Sequence, residues 1–109
     1  ESRSYHKAAG LLEKAKQTQF TRKTIEAAIY LYTNNGQLNN AIEYAEWLSN
    51  YLPNRFTPKY ELMTLYQKAG DTANTRRTAN AILSMPVKIP SAEVDRIKQE
   101  AAKYLAIRP

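Results

Sequence analysis

The run Ile25-Glu26-Ala27-Ala28-Ile29-Tyr30-Leu31-Tyr32, continuing to Asn35-Gly36, has a counterpart in Tyr60-Glu61-Leu62-Met63-Thr64-Leu65-Tyr66, continuing to Ala69-Gly70. Each is an amphipathic stretch that reaches a tyrosine and then a glycine, and the period from Gly36 to Gly70 is 34 residues. Recurrence at this spacing belongs to a helical repeat array, in which each unit has an apolar face that only its neighbour can cover. Such an array implies a binding scaffold more readily than an enzyme. It leaves the ligand open, because repeat folds bind many unrelated things.

Working outward, apolar spacing predicts an all-α chain of about six antiparallel helices. Tyr5, Ala8, Ala9, Leu12 and Ala15 predict a first helix over residues 3–17. Thr21 is the expected N-cap of a second over 22–34, whose stripe is Ile25, Ala28, Ile29 and Tyr32. Asn39 or Asn40 is expected to start a third, carrying Ala41, Ile42, Tyr44, Ala45, Leu48 and Leu52 and stopped by Pro53. Thr57 is the expected cap of a fourth, with Pro58 at its first position and Leu62, Met63 and Tyr66 inward. Thr75, Ala79, Ile82 and Leu83 mark the fifth. Pro86 and Pro90 bracket an extended link, and Ser91 caps a sixth helix over 92–105. That helix has Val94, Ile97, Ala101, Tyr104 and Leu105 on one side. Asp95, Arg96, Lys98, Gln99, Glu100 and Lys103 on the other suit a terminal cap facing water.

The 109 residues make one domain, residues 1–109, too small for a deep catalytic cavity. The net charge of +6 invites a nucleic-acid reading, but residues 24–52 hold Glu26, Glu43 and Glu46 without a single Lys or Arg. A basic track is therefore interrupted, and nucleic acid is not an expected partner. With no cysteine, disulfides and thiolate metal sites are excluded. No run reaches the roughly 18 apolar residues of a membrane span. The chain opens inside a helical pattern at Tyr5-His6-Lys7-Ala8-Ala9, so it is expected to be a piece of a longer protein.

Catalysis finds little support. His6 is the sole histidine and has no orienting partner at a useful spacing. Glu43/Glu46 and Glu93/Asp95 read as solvated helix-surface pairs, Arg76-Arg77 likewise, and the three glycines stand singly, so no phosphate loop exists. No catalytic residue, cofactor or metal is expected. Trp47, beside Tyr44, Leu48 and Tyr51, reads as packing between helices.

Gly36, Ala41 and Pro53, with Tyr32 as the aromatic of the first helix, stand at the marks of the tetratricopeptide (TPR) motif, and residues 35–44 resemble its turn and second helix. The second unit keeps Tyr66, Gly70 and Ala79. Thr75 replaces its small alanine, Lys59 its large apolar residue, and Pro86 comes one residue early. The resemblance implies a TPR-like α-α superhelix: repeat 1 over about 21–54, repeat 2 over about 55–89, a preceding helix, and a capping helix over about 91–105. In such arrays the first helix of each pair lines the groove. Here that implies Lys23, Glu26, Tyr30 and Asn34, then Tyr60, Glu61, Thr64 and Lys68, with Asp95, Arg96, Gln99 and Lys103 from the cap helix. Glu26, Tyr30 and Glu61 stand where relatives that grip a C-terminal carboxylate place Lys, Asn and Arg. An acidic tail would be repelled, and a neutral or mixed-charge peptide, or a sugar chain, would suit the tyrosines.

A narrower resemblance rests on Leu52-Pro53-Asn54-Arg55-Phe56-Thr57-Pro58, Leu62-Met63-Thr64-Leu65-Tyr66, Val87-Lys88-Ile89-Pro90-Ser91 and Ile97-Lys98. These runs are similar to the soluble C-terminal region of Bacteroidetes O-antigen ligase/polymerase-like membrane proteins. The resemblance implies a non-catalytic interaction domain on the periplasmic side of the inner membrane, serving cell-envelope polysaccharide assembly. Its partner would be a protein or peptide, or the membrane portion of its own parent chain. Direct binding of a glycan or lipid-linked substrate is an alternative. So is an adaptor TPR module unrelated to glycans and located in the cytoplasm.

Overall fold

A computed structural model describes residues 19–107, with side chains from residue 22 onward. These residues are all-helical, in five helices: α1 (Gln19–Asn34), α2 (Leu38–Tyr51), α3 (Phe56–Lys68), α4 (Thr72–Ser84) and α5 (Ala92–Ile107). The helix expected over 3–17, and His6 within it, lie outside the described residues. Each helix packs against its successor in the chain, and α3 also reaches α5.

The two glycine corners are built alike. Gly36 and Gly70 have φ of 76° and 74°, the left-handed region that an L side chain resists. At the first corner, Gln37 N–H donates to Tyr32 O at 2.9 Å and Gly36 N–H to Thr33 O at 3.1 Å. At the second, Asp71 N–H donates to Tyr66 O at 3.0 Å and Gly70 N–H to Gln67 O at 3.1 Å. Both pairs satisfy the last carbonyls of the preceding helix, which is the Schellman arrangement. The recurring tyrosine therefore sits at the residue whose carbonyl closes the turn. Space does not demand glycine, since an added Cβ would meet nothing within 4 Å at either site; the backbone angle does.

The same repeat positions are buried in both hairpins. Ala41, Ala45 and Leu48 of α2 match Thr75, Ala79 and Ile82 of α4, and all six are buried. Thr75 fits where a small residue is wanted because its hydroxyl donates to Asp71 O at 2.7 Å, leaving only its methyl to pack. Two apolar clusters result. One joins Ile25 and Ile29 of α1 to Tyr44 and Leu48 of α2 and to Leu62, Leu65 and Tyr66 of α3. The other joins Met63 of α3 to Ala79 and Ile82 of α4 and to Ile97, Ala101 and Tyr104 of α5. Trp47 packs half-buried against the first cluster and stacks on Tyr51 with centroids 4.9 Å apart.

Several expected helix starts shift. Helix α1 runs from Gln19, which places Thr21 inside it instead of at its cap. Helix α2 begins at Leu38, before Asn39 and Asn40, because the Gly36 corner already aims Gln37 O at Ala41 N–H, 3.1 Å away. Helix α3 begins at Phe56; Thr57 and the buried Pro58 lie within its first turn, where the missing N–H costs no intrahelical bond. Its cap position is Arg55, with no side-chain hydrogen bond. Asp71 and Ser91 do cap, accepting from Asn74 N–H and Val94 N–H, each at 3.1 Å. Leu83 is exposed, not inward, because Ile82 alone at that turn points into the second cluster.

Lys98 departs furthest from expectation. Instead of facing water it folds under α5, and its Nζ donates to Ile82 O, Leu83 O and Met85 O at 3.0, 3.0 and 2.9 Å. It also lies 5.4 Å from the centroid of Phe56. A cation from the next helix thereby satisfies the negative end of α4, whose own last turn has no base. Lys98→Met should keep the stem packing and lose the charged bonds. We expect a loss of about 1–2 kcal/mol, discounted for partial solvent access, seen as a lower midpoint in urea. An unchanged midpoint would contradict this role.

Candidate interaction surface

Helix α3 shares one depression with α1 and another with α5. Between α1 and α3 lies a depression of about 510 Å³ walled by Glu26, Tyr30, Asn34, Glu61, Thr64 and Lys68. These are six of the twelve residues expected to line a groove. Between α3 and α5 lies a second depression of about 280 Å³, which Tyr60 and Thr64 share with Gln67, Glu100, Lys103 and Tyr104. Thr64 lines both, so the two are successive parts of one furrow. Arg96 sets its guanidinium 5.3 Å from the Tyr60 ring centroid, a cation–π contact that ties α5 to α3. Lys23 and Gln99 are exposed and line neither depression.

The furrow's polar groups are not equally available. Thr33 and Thr64 turn their hydroxyls back onto Ile29 O and Glu61 O, at 2.7 and 2.8 Å. Tyr30 is two-thirds exposed at 67%, with its ring offered to solvent. Glu26 is held by Arg22, whose Nε donates to its carboxylate at 3.2 Å. Glu61 is exposed at its edge, yet the furrow's walls desolvate it. That burial raises its pKa above 4.5, Glu26 raises it further, and Arg22 opposes both. Two carboxylates side by side at one end, with Lys68 at the other, make a cleft of mixed charge.

Contacts between helices explain what the sequence concealed. Glu46 is no solvated carboxylate: it accepts a hydrogen bond from the hydroxyl of Tyr66, twenty residues on. Burial first, then that hydrogen bond and the Glu46 charge, push the Tyr66 phenol up to about 12. Lys59, polar where an apolar residue is expected, donates to the hydroxyl of buried Ser49 at 3.0 Å. Glu43, Glu93 and Asp95 are exposed as expected, as is Arg77, whereas Arg76 is half-buried. Among the described residues no three acidic, histidine or cysteine side chains gather as a metal site would require, and no helix is long and apolar enough to cross a membrane.

A further concavity, about 490 Å³, lies where the α2–α3 and α4–α5 connections meet. Its walls come from residues 54–58 and from Met85, Pro86, Lys88 and Ile89. Both runs stand out in the sequence, but no periodicity brings them together. Their shared trait, bases and apolar residues beside proline, was the one available signal. No family model matches the chain, and comparisons with curated proteins and with solved structures return no match.

The acid titration of the furrow has a definite sign. The folded Glu61 binds its proton more tightly than the unfolded chain does, so this group adds stability as pH falls through its raised value toward 4.5. Asp71 acts oppositely: its bonds to Asn74 lower its pKa from 3.8, and its contribution fades as pH drops below that. Glu61→Gln should remove the first effect, gaining up to about 0.5 kcal/mol at pH 7 and losing the advantage near pH 4. Denaturation curves of wild type and variant that differ by the same amount at every pH would refute it.

Proposed function

We propose that this chain is a non-catalytic interaction domain of the tetratricopeptide type, whose α1–α3–α5 furrow holds an extended peptide segment of a protein partner. The observation that carries the reading is the convergence of Glu26, Tyr30, Asn34, Glu61, Thr64 and Lys68 on one open cleft. Repeated hairpins with matching buried positions support the repeat class. An exposed tyrosine, two carboxylates at one end and a lysine at the other suit a neutral or mixed-charge segment, its basic side chain toward Glu26 and Glu61. An acidic tail would meet repulsion there.

The parent we propose is an O-antigen ligase/polymerase-like membrane protein, with this domain as its periplasmic tail, docking either a protein of cell-envelope polysaccharide assembly or the parent's own membrane portion. What supports it is the likeness of the 52–58 and 87–91 runs to that family. A second reading is favoured by the accessibility of Tyr30 and the Arg96-backed ring of Tyr60: direct stacking of a glycan or lipid-linked substrate.

Purified chain titrated against a panel of envelope glycan-assembly proteins should bind one of them. Tyr30→Ala and Glu61→Lys should each weaken that binding about tenfold, or roughly 1.4 kcal/mol. Binding that ignores both variants removes the furrow from the account, and no binding to any panel member removes the proposed parent. If the glycan reading holds instead, Tyr30→Ala and Tyr60→Ala lower the heat of glycan titration while the protein panel stays silent.

A further inference from the structure

We infer that the concavity at the connection end of the bundle is a second docking site, for an acidic peptide segment in which a carboxylate stands beside a large apolar side chain. It is separate from the furrow and has the opposite charge preference. Its floor is apolar: half-buried Phe56 and Val94, together with buried Ile97, face the cavity. Its rim is cationic, with Arg22, Arg55 and Lys88 against the single carboxylate of Glu93. Arg22 already holds Glu26, but the Arg55 and Lys88 side chains are exposed and engage no hydrogen bond or ion pair among the described residues.

Three features converge there that folding alone does not explain. The cavity, about 490 Å³, is within the range of roughly 300–1,000 Å³ typical of ligand pockets. A large apolar side chain is left in water at its lip, Ile89 at 81% exposure. The first turn of α3 also opens onto it with no acidic side chain and with arginine at the cap position, where a positive charge opposes the helix dipole. Bases that destabilise the isolated domain, next to apolar groups that gain nothing from solvent, are complementary to a partner carrying negative charge and apolar bulk. At some 490 Å³ the space takes a few side chains, and so a short segment of a partner.

The test uses the whole chain and a short labelled peptide alternating leucine with glutamate, read by fluorescence anisotropy. Saturable binding is expected, weakening as salt rises, with the leucine–glutamine counterpart at least about tenfold weaker. The double variant Arg55→Glu/Lys88→Glu should lose at least about tenfold, while Asn80→Glu, on an exposed part of α4, should stay within about twofold. Both substituted side chains are exposed, so helical circular dichroism should be unchanged. Equal affinity for the two peptides, an indifferent double variant, or no saturation by about 1 mM overturns the site. Because Tyr30 and Glu61 lie outside this cavity, their variants leave the result untouched, and failure here is distinguishable from failure of the furrow.

Discussion

Helix α3 is apolar on two sides, and the packing of the other four helices depends on that. Leu62, Leu65 and Tyr66 close the cluster made by α1 and α2, while Met63 closes the one made by α4 and α5, with Phe56 and Tyr60 packed at its margin. Neither cluster is complete without it. The clear two-sided pattern of α1 and α2 is blurred in α3 because water is left so little of its circumference. Among the polar residues it keeps, Glu61, Thr64, Gln67 and Lys68 line the furrow. One helix therefore fixes both the interior and the candidate binding face.

Local signals in the chain were a good guide wherever the determining contact is local. The glycine corners follow from a backbone angle that glycine tolerates, and the tyrosine ahead of each follows from the same turn. The burial of Ala41, Ala45 and Leu48, and of their partners Thr75, Ala79 and Ile82, follows from helical spacing. Helix starts were read less well. An asparagine or threonine is a plausible cap wherever it stands, but the start of α2 is set by the preceding corner and that of α3 is left with Arg55.

What stayed hidden was every long side chain that reaches across helices. Lys98 looks like solvated charge because it is grouped with Asp95, Gln99 and Glu100 on the polar side of its helix; only the end of α4, thirteen to sixteen residues earlier, gives it three carbonyls. Glu46 and Tyr66, and Ser49 and Lys59, conceal their pairing in the same way. The furrow was legible because successive first helices repeat one face. The concavity between the connections was not, since its walls belong to no periodic element. The two surfaces carry contrasting charge, Glu26 and Glu61 in one and Arg55 and Lys88 in the other, so a +6 chain need not be read as a binder of polyanions.

If α3 unites the two clusters, weakening its hold on one must loosen the other. Met63→Ala empties part of the α4–α5 side only, at a cost of about 2–5 kcal/mol. Native-state hydrogen exchange should then show slow amides in α1 and α2 losing as much protection as those in α4 and α5. Loss confined to α4 and α5, with α1 and α2 as protected as in the wild type, would contradict the account.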